Sequence, residues 1–186
     1  MLNNSKQLNT QEHIHSLIYQ LSESSKEDYT QILTDFDFEV VDFSAIEHWT
    51  PNCYSRNCFY RDENFELILI CWDKSQETAI HDHDGEECWV YLLQGELEED
   101  FFRLGSSQQL ELTKTKILTE NQMTKSDKNS GFHRLRNNTT NRAISLHLYA
   151  KPIKQSQTFD NELGSLVEKK LKDDTFKSVT DVETTN

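Results

Sequence analysis

A mainly β architecture, a sandwich or barrel carrying an N-terminal helical segment, is predicted by three observations. Apolar residues recur at helical spacing over the first fifty positions. From about residue 54 the period shortens to two. Short strand-like runs then follow at near-regular spacing, with hairpin-length breaks and no helical pattern between them. Gly85, Gly95, Gly105 and Gly131 sit at or near those breaks.

Thr10 can cap a helix starting at Gln11, in which Ile14, Leu17, Ile18 and Leu21 make one apolar face. Ser24-Ser25 interrupts it. Tyr29, Ile32, Leu33 and Phe36 repeat in the same way, and a third short helix is expected over Ser44–Trp49, before Pro51. Phe65–Trp72 is apolar apart from Glu66 and rich in β-branched and aromatic residues, so it reads as a buried strand. Further strands are expected at Thr78–His83, Cys88–Leu93, Glu96–Leu104, Leu110–Leu118, Phe132–Arg136 and Arg142–Ala150. Gly164–Lys177 fits either a strand pair or a helix. The last ten residues read as a frayed tail.

The chain has 186 residues, which favours one domain. Its expected parts are a helical segment over 1–50, a barrel core over 51–153 and an extension over 154–186. Lys and Arg number 19 against 32 Asp and Glu, a net charge of −13. Such a field repels nucleic acid and anionic membrane surfaces, so neither is expected as a partner. The longest apolar run, Phe65–Trp72, is too short to span a bilayer. The N-terminal residues do not read as a signal peptide, and a cytoplasmic location is expected. The four cysteines, Cys53, Cys58, Cys71 and Cys88, contain no CxxC pair, so neither a disulfide scaffold nor a zinc knuckle is indicated. Cys53, Cys58 and Cys71 read as small buried hydrophobes. Glu96–Asp100 reads as a solvated acidic face. No long exposed heptad suggests a coiled coil, and a monomer is expected.

Histidines carry the chemistry. His81-Asp82-His83 places two imidazoles on one face of a strand, close enough to share a metal ion, while Asp82 points away. His133 follows about fifty residues later, in an H-x3-N pattern with Asn137. An isolated HxH is often a chance surface pair. Two histidines from one strand and one from another form the ligand set of a small metal-binding barrel.

These features resemble the cupin superfamily, whose first motif runs HxH, three or four residues, Glu, six residues and Gly. Here the phase that reaches Gly95 correctly puts Cys88 where many cupins carry a ligand Glu. Glu87 then points to the opposite face. The expected fold is a cupin-type β-barrel (jelly roll). Three neutral imidazoles leave a divalent charge uncompensated and favour an anionic, chelating substrate such as a thiolate with a neighbouring amine.

The run from Tyr54 to Pro152 further resembles the cysteine dioxygenases. The matching stretches are Y-S-R-N (Tyr54–Asn57), L-I-L-I-C-W (Leu67–Trp72), I-H-D-H (Ile80–His83), C-W-V-Y-L-L-Q-G (Cys88–Gly95), E-N-Q (Glu120–Gln122), G-F-H-R (Gly131–Arg134) and S-L-H-L-Y (Ser145–Tyr149). The resemblance implies oxidation of L-cysteine to cysteine sulfinic acid by O2. It implies that His81, His83 and His133 ligate Fe(2+), and that Arg56 pairs with the substrate carboxylate, with Tyr54 beside it. Tyr149 would stand near substrate and oxygen, positioned by His147 and Ser145. Cys88 would form a thioether with Tyr149, and Trp72 would pack near the site. Relatives that act on 3-mercaptopropionate tend to carry Gln in place of Arg56 and Gly in place of Cys88. That activity is the near alternative, and a non-catalytic metal-binding cupin the distant one.

Alternation adds an independent point. Ala143, Ser145, His147 and Tyr149 share one face of their strand, and Ile144, Leu146 and Leu148 the other. A polar interior site with an aliphatic back packed against a second layer would produce this pattern. The family often has Gly six residues before the first ligand histidine, where this chain has Ser75, and consecutive prolines after the tyrosine, of which only Pro152 remains.

Overall fold

The structure is a computed structural model, described for residues 9–106 and 109–178. Most of the expected frayed tail, residues 179–186, therefore lies outside the described residues. Helix α1 spans Thr10–Ser22, and its cap is Asn9 rather than Thr10. Asn9 Oδ1 accepts from the Glu12 backbone while Glu12 returns a bond to the Asn9 N–H, a reciprocal capping box. Thr10 is the first helical residue, and its hydroxyl accepts instead from the Asp42 backbone. Helix α2 spans Tyr29–Asp35. The expected third helix at Ser44–Trp49 is only a turn over Phe43, and the single 3-10 turn lies earlier, at Phe38–Val40. Phe38, Val41, Phe43 and Ile46 are all buried but irregularly spaced, so packing rather than helical periodicity places them.

Eleven strands follow among the described residues. They are β1 Ser55–Arg61, β2 Glu66–Trp72, β3 Glu87–Gln94, β4 Glu96–Leu104, β5 Leu110–Thr119, β6 Met123–Ser126, β7 Phe132–Arg136, β8 Ala143–Ala150, β9 Gln155–Asp160, β10 Ser165–Lys170 and β11 Thr175–Phe176. One sheet has the order β11-β1-β2-β8-β3-β6. Facing it are β5-β4-β7 and the β9–β10 hairpin. The segment expected as the strand Thr78–His83 is not a regular strand. It makes isolated bridges, Glu77 to Arg136 and His81 to both His133 and Thr158, and so joins β7 to β9 across the second layer. Two facing layers made from one winding chain are the cupin-type barrel that the sequence predicts. The stretch Gly164–Lys177 is not a helix but holds two strands that do not pair with each other, β10 pairing with β9 and β11 lying parallel to β1.

The six-stranded sheet is covered on both faces, which is why every residue of β2 and of β8 is buried. Its outer face, with Leu67, Leu69, Trp89, Leu146 and Leu148, packs against Ile14, Leu17, Leu21 and Leu33 of the helices. Its inner face, with Ile68, Ile70, Cys88, Val90 and Tyr149, meets Leu97, Leu118 and Leu135 of the opposite layer. The expected aliphatic back of β8 is thus the helix-binding surface. Burying each such side chain contributes about 1.5–3 kcal/mol, so the helices are held by packing rather than propensity.

Two backbone positions constrain the loops. Gly95 has φ +85°, and a Cβ there would sit 2.7 Å from the Arg142 carbonyl oxygen, so the β3–β4 turn admits no side chain. Ser75 has φ +62°, a left-handed conformation that favours glycine. Replacing Ser75 with Gly should therefore raise stability, by about 0.5–1 kcal/mol. Urea unfolding would show this as a higher midpoint at unchanged slope, and a lower midpoint would refute it.

Candidate metal centre

His81, His83 and His133 converge, with one ligand nitrogen from each lying within 4.8 Å of the others. The chain brings them together by pairing backbones. His81 N–H donates to His133 C=O and His133 N–H to His81 C=O, both at 2.9 Å. On its other edge the same segment is held by Phe159 N–H to Ile80 C=O and Asp82 N–H to Gln157 C=O. The two imidazoles of the HxH pair reach one point from this doubly bridged segment, although it is not a regular strand.

The tautomers follow from the hydrogen bonds. His81 Nδ1 donates to the Ala79 carbonyl at 2.9 Å, and His133 Nδ1 to Glu99 Oε1 at 2.8 Å. A carbonyl and a carboxylate only accept, so both rings carry the proton on Nδ1 and leave the Nε2 lone pair free. His83 Nε2 and His133 Nε2 are buried without any hydrogen-bond partner. An unpartnered buried polar atom is costly, and a divalent ion shared by these nitrogens would remove that cost. Burial pushes the His81 imidazole down to about 3, with His133 adding to the effect, and holds His83 well below its usual value. Neutral imidazole is the form that binds metals such as iron, zinc and copper.

Glu99 is the residue that sequence reading misplaced. It lies in the acidic run expected to be solvated, yet it is 0 % exposed, and Asp100 is buried with it. Glu99 shares the inward parity of Leu97 on β4, and that was the available signal. Asp100 faces outward, where Arg134 and Thr115 hold it, and Glu98 pairs with Arg136 beside it. Asn137, the last residue of H-x3-N, is buried but holds the loop before β8 through the Asn141 carbonyl and Thr139.

A cavity of about 340 Å³ opens beside the histidines and is lined by Tyr54, Arg56, His81, His147 and Tyr149. Arg56 is 8 % exposed, and its Nε and Nη2 have no hydrogen-bond partner. Burial works against its charge, but Tyr149, Tyr54 and Asp173 outweigh burial and keep the guanidinium protonated. Its backbone is clamped by Asp174, which accepts from Arg56 N–H at 2.9 Å and donates its own N–H to Arg56 C=O. Asp173 pairs with Arg61 at 2.7 Å and lies 3.7 Å from Arg56 Nε. These aspartates come from the C-terminal stretch and were not foreseen.

Tyr149 lies directly opposite Cys88 in the β3–β8 register, and both are buried on the inner face. Burial raises the Cys88 thiol and the Tyr149 hydroxyl well above their ordinary values. Glu87 is on the opposite face, paired with Lys26 and Lys125, as the cupin phase requires. Trp72 is near the site but does not line the cavity. Its indole N–H donates to Ser145 Oγ at 2.9 Å, leaving the Ser145 hydroxyl to donate to His147 Nε2, also 2.9 Å away. His147 then carries its proton on Nδ1, which has no partner. Burial, then the Arg56 charge, keeps His147 neutral. Tyr54 stacks on Trp72 at 4.9 Å. Of the other cysteines, Cys58 and Cys71 are buried as expected, and burial moves their thiols up to about 12 and about 11. Cys53 is exposed, contrary to expectation. Among the described residues the peptides after Tyr149 are all trans.

The family model for "Cysteine dioxygenase type I" matches residues 1–162. Human cysteine dioxygenase type 1 is 29% identical over 146 residues, covering 76% of this chain and 73% of its own. The rat protein of the same name is 30% identical with the same coverage. The zebrafish protein is 29% identical over 79% of this chain and 76% of its own. Among solved structures, a Klebsiella pneumoniae protein with a double-stranded β-helix domain aligns over 62% of this chain and 91% of its own, at 13% identity and a TM-score of 0.49. No helix among the described residues is long and apolar enough to cross a membrane.

Glu99 fixes both the orientation and the tautomer of His133. The Glu99→Gln variant should keep the fold but weaken binding of a divalent metal about 10–100-fold. Competition with a chromophoric chelator would measure this, and unchanged affinity would remove Glu99 from the site.

Proposed function

Because the chain belongs to the cysteine dioxygenase type I family, we propose that it is a thiol dioxygenase that oxidises L-cysteine to cysteine sulfinic acid with Fe(2+) and O2. The observation that carries this reading is Arg56. It is a buried, permanently charged fork with two unpartnered nitrogens, in the same cavity as the histidine cluster. Such a group is stable when an anion completes it, and a carboxylate fits it by two parallel charge-assisted hydrogen bonds.

In this reading His81, His83 and His133 hold the iron. When bound, the iron supplies the redox chemistry that lets O2 react with sulfur. Both oxygen atoms go to the sulfur, so that RSH and O2 give RSO2H. Arg56 fixes the carboxylate and thereby the position of the thiolate and amine, so the gain from the protein is mainly proximity and orientation. The Tyr149 hydroxyl, held protonated by burial beside Arg56, offers a donor at the reacting end of the cavity. Ser145 and Trp72 orient His147, and His147 in turn packs beside Tyr149. The direct opposition of Cys88 and Tyr149 in the β3–β8 register supports a thioether bond between them. Its formation would remove the thiol hydrogen and one ring hydrogen, with O2 as the two-electron oxidant. The enzyme is proposed to work in the cytoplasm in cysteine catabolism, as a monomer organised as the three segments expected from sequence.

Oxygen uptake by the Fe(2+)-loaded protein tests the reading. L-cysteine should be consumed and its product should gain two oxygen atoms. Uptake with 3-mercaptopropionate alone would move the activity to that substrate, and no uptake with either would leave a binding cupin. The Arg56→Gln variant should lose about 3 kcal/mol of transition-state binding with L-cysteine, roughly a hundredfold in kcat/KM, but little with cysteamine, which has no carboxylate. Equal losses with both thiols would contradict the carboxylate role.

A further inference from the structure

The walls of the cavity have a charge pattern that the chain as a whole does not. The protein carries 32 acidic residues against 19 basic ones, yet no Asp or Glu among the described residues lines this cavity. Its charged lining is Arg56 together with Lys169, Lys170 and Lys172, which come from the end of β10 and the loop after it. The three lysines are exposed, and none has a carboxylate within 4 Å among the described residues. Between them, Leu171 turns inward, packs against the barrel interior and donates its N–H to the Lys154 carbonyl. It anchors the strap at the cavity wall with a lysine on either side. The next two residues are engaged by arginines, Asp173 by Arg61 and by the Arg56 guanidinium and Asp174 by the Arg56 backbone. The family match ends at residue 162, before the strap begins.

We infer that Lys169, Lys170 and Lys172 form a cationic mouth that attracts the carboxylate of an incoming thiol and disfavours cationic thiols, making the β10–β11 strap a specificity element of the site. This rests on the thiol dioxygenase reading. On a chain of charge −13 the average field repels an anion, and a local patch of opposite sign converts that into attraction near the opening. The range is about 10 Å at 0.1 M salt, enough to reach from the lysines into the cavity. A carboxylate thiolate is drawn past the lysines to Arg56, whose buried guanidinium completes the capture. A cationic thiol such as cysteamine meets repulsion throughout and no acidic wall group.

The triple variant Lys169→Glu, Lys170→Glu, Lys172→Glu tests this in the Fe(2+)-loaded protein, with the triple Gln variant as a milder neutralisation. All three positions are exposed, so folding should persist. At low salt, kcat/KM for 3-mercaptopropionate, a net anion, should fall about tenfold in the Glu variant and by less in the Gln variant, with kcat unchanged. That for L-cysteine, a zwitterion without net charge near neutral pH, should fall by a smaller factor. For cysteamine it should rise. The wild-type values for the carboxylate thiols should fall as salt is raised, and the difference between wild type and variants should then shrink. Unchanged kcat/KM and salt dependence would overturn the inference, as would a loss confined to kcat. Calorimetric binding of 3-mercaptopropionate without oxygen separates the two readings. If no thiol is oxidised but binding weakens in the variants, the dioxygenase reading fails and the charged mouth stands. If thiols are oxidised and binding is unchanged by the variants, only the mouth fails.

Discussion

The rest of the site depends on one pair of backbone hydrogen bonds, those between His81 and His133. They join residues 52 positions apart, an unfavourable closure in the unfolded chain, and the barrel layers repay its cost through burial. Once made, they set three things together. The two histidines face one another, the segment before β3 becomes the link between β7 and β9, and the cavity gains a wall. A regular strand would also have aligned His81 and His83. The isolated bridges instead leave turns at Asp84 and Gly85, both with positive φ, that let the chain leave the layer and enter β3.

The second organising constraint is strand parity. β2, β3 and β8 lie side by side, each with one face to the helices and one to the cavity. Along β8, Ile144, Leu146 and Leu148 hold the helices while Ser145, His147 and Tyr149 furnish the interior. A shift of one residue in register would exchange the two sets and destroy core and site together. Stability and chemistry are therefore coupled in the same strand pairing.

The interior polar groups divide into satisfied and unsatisfied ones. Trp72, Ser145 and one nitrogen of His147 satisfy each other, and Glu99 satisfies one nitrogen of His133. Among the described residues the unpartnered buried atoms gather on Arg56, His83, Glu99, His133 and His147, with Arg134 Nε the one exception. Natural proteins break the rule of polar satisfaction at functional sites. That concentration of unmet hydrogen-bonding capacity marks the site independently of any relative.

The sequence by itself determined the β-rich architecture, the apolar face of α1, the two-faced β8, the three histidines and the inward phase of Cys88. Each is a matter of local period, and period two or 3.6 is visible wherever one face is buried. Only the tertiary structure decided what depends on partners distant in sequence. Glu99 looked solvated because its neighbours are acidic, and His133 across the strand pair gives it a buried role. The capping of α1 moved from Thr10 to Asn9 because the contact with Asp42 claims the Thr10 hydroxyl. Residues 165–176 show no clear period, since their order comes from pairing with β9, from hydrogen bonds to the Arg56 backbone and from one leucine in the barrel. Long-range pairing leaves no local signature, and so the clamp on Arg56 and the cationic mouth became visible only with the fold.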